Sequence, residues 1–166
     1  MSSTRTQGAP ATAPARSEGG PPPSAPDGAG RPVLLATLDV PFDPGATTVA
    51  VDAAVESGQP LIVANMVELR PLPLSLVMGY DQLEYTEEME RSLREPAQLA
   101  QSLGLRVERL KVKSPHPVQA LLELSTERGV GLLVFGPDRT KIGRVRFRRS
   151  VRSLRSRATC LVWLPE

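Results

Sequence analysis

The chain has 166 residues, with 20 Lys or Arg against 18 Asp or Glu, one cysteine and one histidine. That length suits one domain rather than two. A single cysteine excludes an internal disulfide and a thiolate cage for a metal ion. We interpret Cys160 as a small buried hydrophobic residue and His116 as a loop residue between two prolines.

The N-terminal segment is rich in Pro, Gly, Ala and Ser, and after Met1 it contains no large apolar side chain. Nothing in it could offset the entropy cost of ordering the backbone. We therefore expect residues 1–30 to be a disordered tail and residues 31–166 to form the domain. The tail lacks the apolar core of a signal peptide, and the apolar runs elsewhere are shorter than the ~20 residues of a membrane helix. We expect a cytoplasmic protein without a membrane segment.

Five short apolar segments alternate with segments of helical pattern. The predicted strands are, in chain order, RPVLLATLDV, QPLIVANMVEL, LRVERLKVK, VGLLVFG and TCLVWLP. The third alternates apolar and charged residues, which is typical of a strand near a sheet edge. The fifth ends the chain as a short strand expected at an edge of the sheet.

The helical segments between them carry recognisable start and stop signals. Gly58 and Gly129 are placed to end the first and third helices, and Pro117 suits the first position of the third. The second helical segment, YDQLEYTEEMERSLREPAQLAQSLG, contains Pro96, which we expect to kink or divide it. A Pro-rich connection, RPLPLSLVMG, precedes it.

This alternation predicts an α/β fold. Continuous apolar strands separated by helices indicate a parallel sheet covered on both faces, and right-handed crossovers make it a five-stranded, doubly wound sheet in three layers. Ligands of such folds bind beyond the carboxyl ends of the strands, where the strand order reverses. Asp39 follows the first strand and Gly136 the fourth, so both belong to the region where a ligand is expected.

The charges are unevenly distributed along the chain. Between Gly136 and Arg157 there are nine Arg or Lys and one acid, whereas the other 144 residues carry eleven basic and seventeen acidic side chains, a net charge of −6. This asymmetry favours an anionic partner.

A helix through this basic region would separate apolar from charged residues. Its apolar stripe would dock on the sheet, and arginines would occupy the neighbouring face; the stripe is Phe147, Val151, Leu154 and Ala158, and the arginines are Arg144, Arg148, Arg152 and Arg155, with Arg146 and Arg149 beside them. The face is either simply solvated or an anion site. An anion site would hold a nucleotide's phosphates, or else a polyanion such as nucleic acid or an acidic protein face. Because only one aromatic residue lies here, we expect no base-specific recognition of RNA.

Three segments, LLATLD, ALLELSTERGVGLLVFG and RATCLVWLP, resemble the universal stress protein family in their order and spacing. The resemblance covers residues 31–166. It implies the Rossmann-like fold of the adenine nucleotide alpha hydrolase type and a non-catalytic role in the stress response or its regulation. It also implies a homodimer formed through the C-terminal strand, with Leu161 and Trp163 near their symmetry mates.

Relatives in that family that bind ATP carry a motif of Gly, two residues, Gly, nine residues, Gly, and then Ser or Thr. Gly136 matches the first glycine and Ser150 the final hydroxyl residue, whereas Arg139 and Arg149 occupy the second and third glycine positions. Counting backward from Cys160 puts the Ser position on Arg149 instead, and a one-residue deletion in the loop would reconcile the two counts.

The family's adenosine-holding aspartate is matched by Asp39. A turn or helix-capping role for this residue is an equal alternative.

We interpret GPDRTKIGRVRFRRS, residues 136–150, as a phosphate loop that has lost ordinary ATP binding. Arg139 and Arg149 fill the space that glycines leave, and Pro137 removes an amide donor. On this interpretation no cofactor is expected. Two alternatives stay open: Arg139 and Arg149 themselves hold the phosphates of ATP or another adenine nucleotide, or the arginine face is an adaptor for a polyanion or a partner protein.

An enzyme is not expected. The sequence offers no paired-carboxylate site, no metal constellation and no activated nucleophile.

Overall fold

The computed structural model describes residues 30–69 and 82–165, without the side chains of residues 82–86. The predicted tail, apart from Gly30, and the connection RPLPLSLVMG lie outside the described residues. Within the described part of the chain, no helix is long and apolar enough to cross a membrane.

Strands and helices alternate throughout the described chain. The strands are β1 (Val33–Thr37), β2 (Leu61–Glu68), β3 (Val107–Ser114), β4 (Leu132–Phe135) and β5 (Leu161–Trp163). The helices are α1 (Pro44–Ser57), α2 (Gln82–Ser102), α3 (Pro117–Glu127) and α4 (Arg144–Arg157).

The five strands form one parallel sheet in the order β3-β2-β1-β4-β5. In the register of the central strands, Val33 of β1 lies opposite Leu61 of β2 and Leu132 of β4. The sequence-based prediction of a five-stranded, doubly wound α/β fold is therefore confirmed. So are the two edges, because β3 and β5 are the outermost strands.

The sheet separates two hydrophobic cores. Leu34 and Ala36 of β1 belong to the core shared with α3 and α4, whereas Leu35 belongs to the core shared with α1 and α2. Successive side chains of a strand point to opposite faces, so a central strand covered on both sides must be apolar throughout. This is why β1 is buried along its whole length.

The helix-end signals of the sequence are confirmed. α1 ends at Gly58, whose φ of 65° is the left-handed conformation that glycine adopts without steric cost, and Gly129 after α3 has a φ of 59°. Pro117 is the first residue of α3.

Of the two effects expected of Pro96, a kink or a division of α2, the structure excludes the division. The helix runs from Gln82 to Ser102 with Pro96 inside it. Proline removes one backbone hydrogen bond, but three side chains on the same face, Leu93, Ala97 and Ala100, are buried in the core beside α1. The burial of this stripe on both sides of the proline holds the two halves of α2 on one surface.

Candidate functional site

The candidate site lies where the strand order reverses, at the carboxyl ends of β1 and β4. These strands are neighbours in the sheet, yet β1 leads into α1 on one face and β4 into α4 on the other. A crevice at such a point is where open α/β sheets bind ligands. The connections that form it are the β1–α1 loop, residues 38–43, and the β4–α4 loop, residues 136–143.

These two loops are hydrogen-bonded to each other. The backbone N–H of Asp43 donates to the carbonyl of Gly136 at 2.9 Å, and the N–H of Asp138 donates to the carbonyl of Pro41 at 2.8 Å. Phe42 and Pro137 form an antiparallel bridge between these contacts. The pairing occupies backbone groups of both loops in the region where a ligand is expected.

Gly136 has a structural role in this pairing. A Cβ at this position would lie only 2.1 Å from the Cβ of Ala46 in the first turn of α1. Glycine is therefore needed because β4 ends in close contact with α1. Gly136 also lies outside the left-handed region of backbone conformation, so its φ does not demand glycine.

Three consecutive amides of the β4–α4 loop, those of residues 140–142, are bonded to Asp138 within the loop. The carbonyl of Asp138 accepts from the N–H groups of Lys141 at 3.1 Å and Ile142 at 3.0 Å. Its carboxylate accepts from the N–H of Thr140 at 2.8 Å and from the Thr140 hydroxyl at 2.7 Å. Pro137 has no N–H to offer. A phosphate arriving here would have to displace bonds that the loop already makes.

The same contacts affect the charge of the loop. The hydrogen bond from the Thr140 hydroxyl is the main reason that the pKa of the Asp138 carboxyl lies below its usual value, and Lys141 adds to the effect while partial desolvation opposes it. Asp138 is thus a fixed negative charge, which is unfavourable for a phosphate at this loop.

Asp39 occupies a left-handed turn directly after β1. Its φ is 58°, a conformation that Asp tolerates better than most residues, and its N–H donates to the side-chain oxygen of Asn65 at 2.9 Å. Asn65 lies in β2 and is fully buried, and its Nδ2 has no hydrogen-bond partner in the described structure. Sequence analysis missed Asn65, although a lone amide in the apolar run LIVANMVE was the available signal.

A cleft of about 730 Å³ opens beside the first turns of α4. The ends of β1 and β2 and the start of α3 form its other walls; its lining includes Leu38, Glu68, Pro117, Gly143, Arg149 and Ser150. Gly143 is the N-cap of α4 and supplies no side-chain hydrogen bond to the helix. The first amides of α4 therefore lack a side-chain cap next to the cleft, and the helix dipole favours negative charge there.

One arginine of the cleft is neutralised by an acid. The guanidinium of Arg146 lies 3.2 Å from the carboxylate of Glu68 at the end of β2. The hydroxyl of Ser150 donates to the carbonyl of Arg146 at 2.8 Å, so the one O–H of this buried side chain is engaged within the helix. Arg149, in contrast, is exposed and has no ion pair with any described residue.

Comparison with known proteins identifies the family of the chain. The sequence profile of the Universal stress protein family matches residues 30–164. The chain belongs to the universal stress protein family. No curated protein matches it.

Solved universal stress proteins share its fold. The structure of one from Archaeoglobus fulgidus is similar with a TM-score of 0.58 and 19% identity, over 82% of this chain and 98% of that one. The structure of the universal stress protein from Archaeoglobus fulgidus in complex with dAMP has a TM-score of 0.57 and 18% identity, over 83% of this chain and 99% of that one. A universal stress protein in complex with cAMP has a TM-score of 0.56 and 20% identity, over 82% of this chain and 96% of that one. At these identities the likeness concerns the fold.

In this universal stress protein domain, the stretch from Gly136 to Ser150 is only partly a loop. The sequence-based interpretation treated all of it as a phosphate loop, but the structure ends the loop at Gly143 and begins α4 at Arg144. With arginine rather than glycine at position 149, nothing interrupts the helix, whose apolar stripe packs on the sheet as predicted. Ala158 packs against the same core, although it lies just past the last helical residue as the C-cap.

The residues at the positions of the ATP motif do not lie together in the structure. Arg139 lies over the ring of Phe147, with 5.4 Å between its guanidinium carbon and the ring centroid, and Phe147 stacks on Phe135 at 6.1 Å. Arg149 and Ser150 line the cleft, whereas Asp39, Gly136 and Arg139 do not belong to that lining. Of the five predicted site residues, the structure brings only these two together in the cleft.

Within residues 30–69 and 82–165, the other chemically reactive groups offer no second site. Cys160 is half-buried, and burial raises the pKa of its thiol; His116 is exposed at the start of α3. No group of three or more His, Cys, Asp or Glu in the described part of the chain is placed to hold a metal ion.

Proposed function

We propose that this universal stress protein domain is a non-catalytic regulatory domain of the stress response that has lost ordinary ATP binding. The observation that carries the proposal is the internal bonding of the β4–α4 loop, in which Asp138 accepts the amides of Thr140, Lys141 and Ile142. A loop whose amides already have partners must break those bonds before it can hold phosphate oxygens.

The expected loss of affinity is large. Each missing hydrogen bond to an ionised phosphate is worth about 1.5–3 kcal/mol, and about 1.4 kcal/mol corresponds to a factor of ten in the dissociation constant. Two lost glycines and one lost amide would therefore move a micromolar site beyond about 1 mM. The glycine that remains, Gly136, is accounted for by its contact with Ala46 and so does not argue for a nucleotide.

Adenine nucleotides are the ligands to test, because relatives with the same fold have been solved with cAMP and with dAMP. The alternative function is a nucleotide-binding domain that uses arginines for the phosphates. Arg149 supports it, since its side chain lines the cleft next to Ser150 and has no ion pair in the described structure. Arg139 supports it less, because its guanidinium lies on Phe147.

Calorimetry with ATP, cAMP and dAMP tests both functions. For the wild-type protein we expect no binding below about 1 mM. The triple variant Pro137→Ser, Arg139→Gly, Arg149→Gly should recover measurable ATP binding, because it restores an amide and a glycine to the β4–α4 loop and removes a long side chain from the cleft lining. Pro137→Ser, Arg139→Gly, Arg148→Gly is the matched control, since Arg148 lies on the same helix outside the cleft lining.

One result of the calorimetry would reject the proposed loss of ATP binding. Micromolar binding of ATP to the wild-type protein, abolished by Arg149→Ala and not by Arg148→Ala, would reject the loss of nucleotide binding and establish Arg149 as a phosphate ligand.

We further propose a homodimer formed through β5 and a cytoplasmic location. Among the described residues β5 is an edge strand that pairs with β4 on one side and with no strand on the other, and Leu161 exposes 74% of its surface. Cell fractionation checks the location.

A further inference from the structure

Six arginines of α4 are exposed and have no ion pair within the described part of the chain: Arg144, Arg148, Arg149, Arg152, Arg155 and Arg157. The remaining arginine of the helix, Arg146, is paired with Glu68. α4 itself contains no acidic residue, so no neighbour along the helix can neutralise them.

Four of these side chains form a line along the solvent side of α4, which we call the arginine line: Arg144, Arg148, Arg152 and Arg155. Residues three and four apart lie on one helix face, so the charges repeat at steps of about 4.5–6 Å along the axis. The apolar stripe of the same helix, including Phe147, Val151 and Leu154, packs against the core, which orients the arginine line toward solvent.

A line of like charges at this spacing lowers the stability of the isolated helix, because cations at neighbouring positions repel one another. Surface helices usually reduce this repulsion by placing acids among the bases. α4 has no acidic residue that would reduce this repulsion, as expected for a surface whose counter-charge comes from a binding partner.

We propose that the arginine line binds the phosphodiester backbone of nucleic acid, independently of base sequence. A nucleic-acid strand presents phosphates at regular intervals, and guanidinium groups bind phosphate oxygens through paired hydrogen bonds. A row of arginines evenly spaced on one helix matches that repeated charge.

The surroundings of the arginine line disfavour other polyanionic partners. Interfaces with proteins centre on buried aromatic or apolar anchors, and a membrane-binding helix inserts an apolar face. The large apolar side chain exposed on α4 is Val145 at 64%, while Phe147 is half-buried against Phe135 and Arg139. No aromatic ring of α4 is free to stack on a base, so the binding should not depend on sequence.

This inference does not depend on the proposed loss of ATP binding. Arg144 lines the cleft, but Arg148, Arg152 and Arg155 do not, so replacing these three tests backbone binding on α4 separately from nucleotide binding in the cleft.

Fluorescence anisotropy with a short duplex DNA of mixed sequence and with a single-stranded RNA tests the proposal as a function of salt. Four phosphate contacts on duplex DNA predict a slope of log K against log salt near −3.6, so raising salt from about 50 to 200 mM weakens binding about 150-fold. The variant Arg148→Gln, Arg152→Gln, Arg155→Gln should have a slope near −0.9 and lose only about fourfold over the same range.

The matched control removes the same charge elsewhere. Arg94, Arg106 and Arg109 are exposed on α2, before β3 and on β3, and their joint replacement by Gln should leave the salt slope close to that of the wild type. The α4 variant should unfold at or above the wild-type temperature, because glutamine favours helix and removes repulsion.

Three results would overturn the proposal. They are the absence of binding to both nucleic acids at about 50 mM salt, an equal weakening in the two triple variants, and tighter binding to poly-glutamate or to anionic vesicles than to nucleic acid. The absence of binding would show that the arginine line is not a nucleic-acid site. Equal weakening would show that net charge, not its position on α4, causes the binding. Tighter binding to poly-glutamate or vesicles would assign the arginine line to an acidic protein or a membrane. Stronger binding of DNA than RNA, or the reverse, identifies which backbone the arginine line takes.

Discussion

Gly136 illustrates how one residue can satisfy a sequence motif for a reason unrelated to the ligand. It stands at the first glycine of the family's ATP motif, and in the structure its missing side chain lets β4 approach α1. Its carbonyl also accepts the N–H of Asp43 across the two loops. Packing therefore explains the glycine at this position, whether or not a nucleotide binds.

Gly136→Ala should destabilise the domain by about 1–3 kcal/mol, as expected for overpacking in a tight core. The added Cβ would lie 2.1 Å from the Cβ of Ala46, and neither atom belongs to a flexible side chain. Urea unfolding measures the loss.

The control for Gly136→Ala is the second change Ala46→Gly, which opens the space. The double variant should be more stable than the sum of the two single effects predicts, because the residues are in direct contact. Strict additivity, or a Gly136→Ala protein as stable as the wild type, would show that the close approach of β4 and α1 does not govern this position.

At the level of the element, α1 is joined to the candidate site through its N-cap. The carboxylate of Asp43 accepts the N–H of Ala46 at 2.9 Å, and Pro44 takes the first helical position, where its missing N–H has no cost. The backbone of the same Asp43 pairs with Gly136. The start of α1 and the closure of the two loops thus depend on one residue.

Asp43→Ala should lower the free energy of unfolding by about 1 kcal/mol, the usual effect of losing an N-cap side chain. Asp43→Asn keeps a side-chain oxygen at the same place and should remain within a few tenths of a kcal/mol of the wild type. Chemical denaturation at neutral pH compares the three proteins. If Asn destabilises as much as Ala, the charge of Asp43 and not its capping oxygen is what matters.

At the level of the whole molecule, two surfaces remain to be matched with partners. One is the arginine line on α4, and the other is the open edge of β5. Leu161 at that edge is exposed, whereas Trp163 is partly buried against the core that includes α1 and α2. A change at Trp163 would therefore disturb packing as well as any contact between subunits.

Leu161→Glu is for this reason the sharper test of the proposed homodimer. A charge at an exposed edge position should prevent pairing of two β5 strands while leaving the melting temperature of the monomer nearly unchanged. Light scattering should give a dimer for the wild type and a monomer for the variant. Leu103→Glu, the same substitution at an exposed position just after α2, should remain dimeric. A wild-type protein that is monomeric at high concentration contradicts the proposal.

The pattern of apolar residues in the sequence determined the order of the elements, the parallel sheet and its two edges. That information is local or periodic: a continuous apolar run predicts a strand buried on both faces, and the alternation in VERLKVKS predicts a half-covered edge. Glycines and prolines at helix ends act on their own backbone, so Gly58 and Pro117 could be recognised without the fold. The effect of Pro96 could not be predicted in this way, because it depends on the burial of its neighbours on α2.

The state of the candidate site was decided by the tertiary structure. Residues 41–43 and 136–138 are far apart in the chain, and no periodicity reveals that they pair, since only the adjacency of β1 and β4 in the sheet brings the two loops together. The contact of Gly136 with Ala46, the bond between Asp39 and Asn65 and the stacking of Arg139 on Phe147 arise in the same way. Composition determined that the region would be basic; which amides and guanidinium groups stay available to an anion depends on long-range packing.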